Sequence, residues 1–281
     1  LTSIAFHVHP VFWALMLLAL LAGQFVQVVT LFVLVLLHEA GHVIAALLYG
    51  WRIRKIELLP FGGVAEMDEW GGTRAREEIV VTLAGPAVNA ALILLGWLLE
   101  YMGIWSSVWT AFFVYSNMVI AVFNMLPIWP LDGGRLLQIV YSFFISYRRS
   151  MDVTLYGSVL GALVLLYWSS TQPVPHLNGM AVSFYLLFHN VMDYRQRPYL
   201  FLRFLLSRQA RLSRYAEGLA ILPVRIEPDM RVHEAVRTLR RNRYHHFWLT
   251  GERSGFVPEE KLLASFFDAR LRNCTVRELL R

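Results

Sequence analysis

Apolar residues gather into six runs along this chain, at about 8–22, 25–48, 79–99, 105–126, 153–168 and 178–192. A helix needs about 17–25 residues to cross the hydrocarbon core of a bilayer. The second, third and fourth runs meet that length, whereas the first and the last two are short. Lys and Arg are placed unevenly between the runs. Arg52, Arg54, Lys55, Arg74 and Arg76 lie between the second and third, and Arg148 and Arg149 between the fourth and fifth. Arg195, Arg197, Arg203, Arg208, Arg211 and Arg214 follow the sixth, while the other connections carry no basic residue. The positive-inside rule then puts both termini and all basic loops in the cytoplasm, as an even number of spans requires.

Two stretches depart from this pattern. Ile53, Ile56, Leu58 and Phe61-Gly62-Gly63-Val64, broken by Pro60 and the glycines, predict a short hairpin at the membrane surface. An exposed edge there could pair with an extended peptide, and Gly71-Gly72 reads as a hinge. Beyond residue 218, Ile221-Leu222-Pro223-Val224 and Phe247-Trp248-Leu249 predict strands. Val232, Ala235, Val236 and Leu239, and then 262–267, have helical spacing, which makes a small α/β module. The expected architecture is an α-helical polytopic membrane protein of about six transmembrane helices with a small C-terminal α/β domain. Residues 1–194 form the membrane domain, 195–218 an Arg-rich cytoplasmic linker and 219–281 the module.

Composition agrees. The 281 residues are 57% hydrophobic and 16% charged, where a soluble domain carries about 25% charged residues. Residues 195–281 hold 18 Lys and Arg against 9 Asp and Glu, and residues 1–194 hold 8 against 11. Basic residues packed just after the last run read as a topology signal that also touches anionic headgroups. No nucleic-acid-binding motif accompanies them, so no nucleic-acid partner is expected. The single cysteine, Cys274, excludes an internal disulfide and a Cys-based zinc site. The first ten residues lack a basic n-region, so no cleavable signal peptide is expected.

Chemistry enters with His38-Glu39-Ala40-Gly41-His42 in the second run. Positions i and i+4 share a helix face, so both imidazoles can grip one zinc ion, with Glu39 placed to act on the attacking water. Ionisable groups inside a spanning helix are costly and usually functional; the bland alternative is a chance match holding two structural histidines. A catalytic zinc takes three protein ligands. Candidates for the third are Asp132, His189, Asp193, Glu66, Asp68 and Glu100. Around Asp132, Pro127, Pro130, Gly133 and Gly134 break an apolar stretch, and broken backbone at membrane depth is tolerated only inside protein or beside a wet cavity. By spacing alone Asp132 reads equally well as the cap of the next helix. Asn89 reads as a helix–helix hydrogen bond, with Ala84, Gly85 and Ala87 allowing close packing. His7, His9 and His189 read as interfacial or packed histidines.

Three motifs in order resemble the site-2 intramembrane metalloproteases: 38–42, then Ala84-Gly85-Pro86-Ala87-Val88-Asn89, then Asn124 to Pro130 followed by Leu131-Asp132-Gly133-Gly134. The likeness spans essentially the whole chain and is strongest to the family's bacterial sporulation branch. It implies one zinc ion per chain, ligated by His38, His42 and Asp132, with Glu39 as general base and Asn124 positioning the substrate or polarising its carbonyl. Other branches commonly have Asn-Pro before Asp-Gly, where this chain has Pro130-Leu131. Residues 219–281 resemble a cystathionine-β-synthase (CBS) module through Pro223-Val224, Ile226-Glu227-Pro228-Asp229, Val232-His233-Glu234-Ala235-Val236 and His245-His246-Phe247. Such a module implies ATP or another adenine nucleotide as ligand, although Pro258 and Lys261 stand where its Thr and ribose-holding Asp belong. These modules normally pair, so self-association through it is expected.

The function this implies is an intramembrane zinc endopeptidase cutting a membrane-tethered precursor near the cytoplasmic face. The sporulation branch implies a sigma-factor precursor as substrate, membrane-protein inhibitors as regulators and a membrane surrounding the forespore as location. The module is expected to serve substrate capture and not bond cleavage. A CBS-containing metal transporter would show repeated motifs in its two halves, and no second His-Glu-x-x-His or Asp-Gly-Gly exists. A non-catalytic membrane scaffold gives no reason for Glu39.

Overall fold

The computed structural model describes residues 5–8, 20–59, 62–67, 73–172, 176–215, 221–241, 243–250 and 255–280, the side chains of 5–8, 54–59, 62–67, 211–215 and 280 excepted. Among these residues six helices make the larger part: α1 (Phe25–Leu48), α2 (Ala75–Tyr101), α3 (Ser107–Asn124), α4 (Asp132–Phe144), α5 (Tyr147–Thr171) and α6 (Leu177–Tyr215). Helix α2 packs on α1 and α3, α4 bridges α2 and α5, and α5 packs along α6. Among the described residues, α1, α2, α3 and α5 are long and apolar enough to cross a membrane. The expected first span, 8–22, falls almost wholly outside the described residues. The expected sixth lies within α6, whose first half carries Ser183, His189, Asn190 and Asp193.

Large apolar side chains cover the outside of these helices, among them Leu31, Val33 and Ile44 of α1 and Leu160, Val164 and Tyr167 of α5. Water would penalise so much exposed apolar surface; lipid does not, and the chain is a membrane protein. Inside, small and hydroxyl residues let the helices approach. Ser150 and Ser158 of α5 are buried and return their hydroxyls to the Tyr147 and Thr154 carbonyls. A Cβ on Gly41 would stand 2.8 Å from the Ala84 carbonyl oxygen and from Val88 Cγ2. Only glycine lets α1 lie that close to α2.

The predicted hairpin is present as β2 (Ile53–Leu59) and β3 (Gly62–Met67), antiparallel, with a third strand, β1 (Ala5–Val8), parallel to β2 on its other side. Strand β2 is therefore internal, and among the described residues the sheet's edges are β1 and β3. Gly71-Gly72 lies outside the described residues.

The segment expected as a linker is instead helix, because α6 runs without a break to Tyr215. Phe201, Phe204 and Leu205 repeat at helical spacing and are buried. They join Tyr147 and Met151 of α5 in one core with the C-terminal module. That module has β4 (Ile221–Ile226), α7 (Val232–Ala235) running into a 3-10 turn at Val236–Thr238, β5 (Tyr244–Leu249), β6 (Phe256–Pro258) and α8 (Glu259–Phe267). Strand β5 is central, parallel to β4 and antiparallel to β6. Phe247, Leu262, Leu263 and Val236 fill its interior. The Tyr147 N–H donates to the Leu239 carbonyl at 3.0 Å, and the Tyr147 ring stacks on Phe204 at 4.1 Å.

A buried ionic group ties α6 to the module. Arg208 pairs with Glu259, whose Oε2 also accepts from His245 Nδ1 at 2.8 Å. The Arg240 N–H donates to His245 Nε2, so His245 is the neutral tautomer. Burial pulls this imidazole below its ordinary 6.5. Burial alone would raise the Glu259 carboxyl, but hydrogen bonds from His245 and Arg208 outweigh it and hold the group below its ordinary 4.5.

Candidate metal centre

Leu34, His38, Gly41, His42 and Ala46 are the buried residues of α1, one stripe turned toward α2. The two imidazoles meet edge to face, with centroids 4.8 Å apart. Helix α2 fixes both. His42 Nδ1 donates to the Val81 carbonyl at 2.8 Å, and His38 Nδ1 donates to Asn89 Oδ1 at 2.5 Å. The Asn89 amide is oriented in turn, since its Nδ2 donates to Asn117 Oδ1 at 2.9 Å and Asn117 Nδ2 donates to the Phe113 carbonyl. Asn89, expected to make a helix–helix hydrogen bond, makes one, and through it also orients a histidine.

Asp132 arrives from the other side. The N-cap of α4 is Leu131, which has no side-chain cap, so the capping alternative fails. The carboxylate turns to the histidines instead. Its position is set by the loop before it. The Trp129 N–H donates to Ser158 Oγ at 2.7 Å, Asn190 donates to the Trp129 carbonyl at 2.7 Å, and the Trp129 indole donates to Asp193 at 2.6 Å. Gly133 and Gly134 let that loop fold back on the first turn of α4. A Cβ on Gly134 would stand 2.5 Å from the Trp129 nitrogen, and one on Gly133 would run into the Met125 and Leu126 carbonyls.

His38 Nε2, His42 Nε2 and Asp132 Oδ2 lie 3.2 Å from one another in every pairing. Both Nδ1 atoms carry their ring's proton, because each faces an acceptor. With both Nδ1 protons so placed, both Nε2 atoms present lone pairs toward a carboxylate oxygen, a set of three acceptors that a proton or a metal cation between them would hold together. Tetrahedral zinc with bonds of about 2.0–2.1 Å has ligand atoms about 3.3 Å apart, so the trio fits that ion. Among the described residues it is the one His/Cys/Asp/Glu group with such convergence.

Glu39 sits half-buried next to His38 with no hydrogen-bond partner among the described residues. Asn124 ends α3 and donates its Nδ2 to the Ile120 carbonyl at 3.0 Å, with no hydrogen bond to the trio. Of the rival ligands, Asp193 anchors Trp129, His189 packs on Tyr185 at 4.4 Å, and Glu100 lies in the last turn of α2. The Glu66 side chain, Asp68 and His9 lie outside the described residues, as does the His7 side chain.

Comparison with known proteins agrees with this geometry. The pattern of peptidase family M50 matches residues 26–104 and 99–168. The chain is 31% identical over 276 residues to Stage IV sporulation protein FB of Bacillus subtilis, covering 98% of this chain and 95% of that protein. It is 33% identical over 163 residues to a zinc metalloprotease of Methanocaldococcus jannaschii, 57% of this chain and 44% of that one. Its fold is similar to the solved site-2 protease from Methanocaldococcus jannaschii, with a TM-score of 0.54, 25% identity, and coverage of 68% of this chain and 92% of that one. The chain belongs to peptidase family M50, the site-2 proteases, and is an intramembrane zinc metalloprotease.

Proposed function

We propose that this protease cuts a membrane-tethered protein precursor near the cytoplasmic face, with zinc held by His38, His42 and Asp132 and with Glu39 as general base. The convergence of three acceptor atoms at 3.2 Å, with both Nδ1 protons committed elsewhere, carries this reading. When bound, zinc supplies a Lewis acid that acidifies a water and polarises a carbonyl. Glu39, which has no hydrogen-bond partner among the described residues, takes a proton from the attacking water and returns it to the leaving amine. Val81 and Asn89 hold the imidazoles in one tautomer throughout. Asn124 positions the scissile carbonyl, releasing its own bond to Ile120. The substrate must be extended at the cut, and the β3 edge is the strand against which it is laid.

Resemblance to the sporulation branch supports a sigma-factor precursor as substrate, membrane-protein inhibitors as regulators and a membrane around the forespore as location. Both termini are cytoplasmic in this reading. Residues 219–281 form a CBS-like module able to self-associate, with an adenine nucleotide as its candidate ligand.

The test is co-expression with membrane-tethered precursors, comparing the intact enzyme with Glu39→Gln. Glutamine keeps the shape and the zinc and removes the base, so cleavage should fall by roughly 10²–10⁴-fold. Near-normal turnover by zinc-loaded Glu39→Gln would remove Glu39 from the mechanism.

A further inference from the structure

Glu78, in the first turn of α2, is 3% exposed, and Arg241 of the C-terminal module is 4% exposed. The two form an ion pair across 163 residues of sequence. The same guanidinium donates through Nη2 to the Thr73 carbonyl at 2.9 Å, and Thr73 Oγ1 donates to Glu78 at 3.0 Å. A buried pair contributes little net stability, because desolvation offsets most of its attraction; its best-attested service is to fix register.

What it registers here is the helix that orients the histidines. Val81, three residues past Glu78, supplies the carbonyl that takes the His42 Nδ1 proton. Gly85 then lies against both imidazoles, and Asn89 holds His38. A helix is stiff along its axis, so a slip at Glu78 is carried to Val81 and Gly85, which precede Pro86 inside this helix.

We infer that Arg241 is a positioning residue for the metal centre: by holding Glu78 it sets the place of α2, and the module thereby shapes the site it does not touch. This goes against a module serving substrate capture alone, and it rests on His38, His42 and Asp132 being the zinc ligands.

The experiment uses the full chain in lipid nanodiscs. Arg241→Met leaves the buried Glu78 carboxylate without its cation, whereas the double variant Arg241→Met/Glu78→Met removes both charges and should recover melting temperature. Zinc affinity is read by competition with a chelator, ligand geometry by the visible spectrum after cobalt replaces zinc, and turnover on a short peptide spanning only the cut site. Both variants should bind zinc roughly tenfold more weakly, show an altered cobalt spectrum, and lose kcat on the short peptide with KM changed little. Arg241→Lys, which keeps the charge but not the fork, should fall between them and the parent. If zinc affinity returns together with melting temperature in the double variant, the pair is structural only and the inference fails. Wild-type affinity and kcat in any folded variant lacking the pair has the same meaning. His42→Ala is the separate control: full zinc retention there would overturn the ligand assignment and not the role of Arg241.

Discussion

Replacing Gly85 by alanine should weaken zinc binding and turnover while leaving the helix bundle folded. A Cβ built at this position stands 2.5 Å from Cε1 of His42 and 2.8 Å from Cε1 of His38, and closer still to His42 Nε2. Carbon atoms in ordinary contact are about 3.5–4.0 Å apart, so each ring must retreat by roughly 1 Å. Neither can do so freely, because Val81 and Asn89 hold the Nδ1 atoms. The Nε2 atoms, now 3.2 Å apart, would leave the separation that zinc requires, and metal sites tolerate only about 0.2 Å in bond length. Overpacking costs about 1–3 kcal/mol, partly offset by the roughly 1 kcal/mol that alanine gains over glycine within a helix. Stability should therefore fall by about 2 kcal/mol at most, whereas zinc affinity and turnover should fall by roughly 10²-fold, the usual result of a 1 Å misplacement. Gly157→Ala is the matched control, since a Cβ there meets nothing within 4 Å, and it should keep both metal and activity. Metal analysis and peptide cleavage on the two purified variants decide the matter. Full zinc and parental turnover in Gly85→Ala would show that α2 does not press on the imidazoles as described.

Asn89→Ala removes the acceptor for His38 Nδ1, so zinc should bind about 10–100-fold more weakly. Unchanged chelator competition would mean that the ring is oriented by something else. Stability of the module should fall with acid in two stages. The folded pKa values of His245 and Glu259 lie below their ordinary 6.5 and 4.5, so as pH drops through each ordinary value the unfolded chain takes up a proton that the folded one refuses. The stabilisation is complete above about pH 6.5, declines from there through His245 and declines again below about pH 4.5 through Glu259. Melting followed by Trp248 fluorescence between about pH 7 and about pH 4 should show both stages, and His245→Gln should lack the upper one; a flat profile would contradict the buried neutral tautomer.

Much of the centre was legible before any coordinates. The spacing of His38 and His42 fixes a shared helix face, and two prolines and two glycines at membrane depth draw attention to Asp132, but only the resemblance of the motifs favours a ligand there over a helix cap. The direction of Asn89 was not legible: a lone amide on an apolar helix reports that it needs a partner, not which one, and only the crossing of α1 over α2 supplies His38. Arginine density made residues 195–218 look like a solvated linker. Yet Phe201, Phe204, Leu205 and Arg208 repeat at i, i+3, i+4 and i+7, the stripe of a helix with one buried face, and that periodicity was the signal to weigh. Arg241 and Glu78 have no local signature at all, since the pairing of two charges so far apart in sequence is a property of the tertiary fold. The same holds for Ser158, Asn190 and Asp193, which grip one tryptophan from two helices.

Helix α6 gives the molecule an unusual kind of indivisibility. At about 1.5 Å per residue, its 39 residues make one continuous helix of roughly 58 Å along its path, with Pro198 inside it, Asn190 and Asp193 bracing the loop before Asp132, and Phe204, Leu205 and Arg208 sewn into the module. A cut after Arg214 would strip the cover from Phe201 and Phe204 and take from Glu78 the arginine that neutralises it. The module is thus not a cassette. Recombination between relatives would succeed where the crossover lies upstream of Phe201 and the incoming segment brings its own arginine for Glu78, and descent in this lineage would be expected to move α6 and the module together.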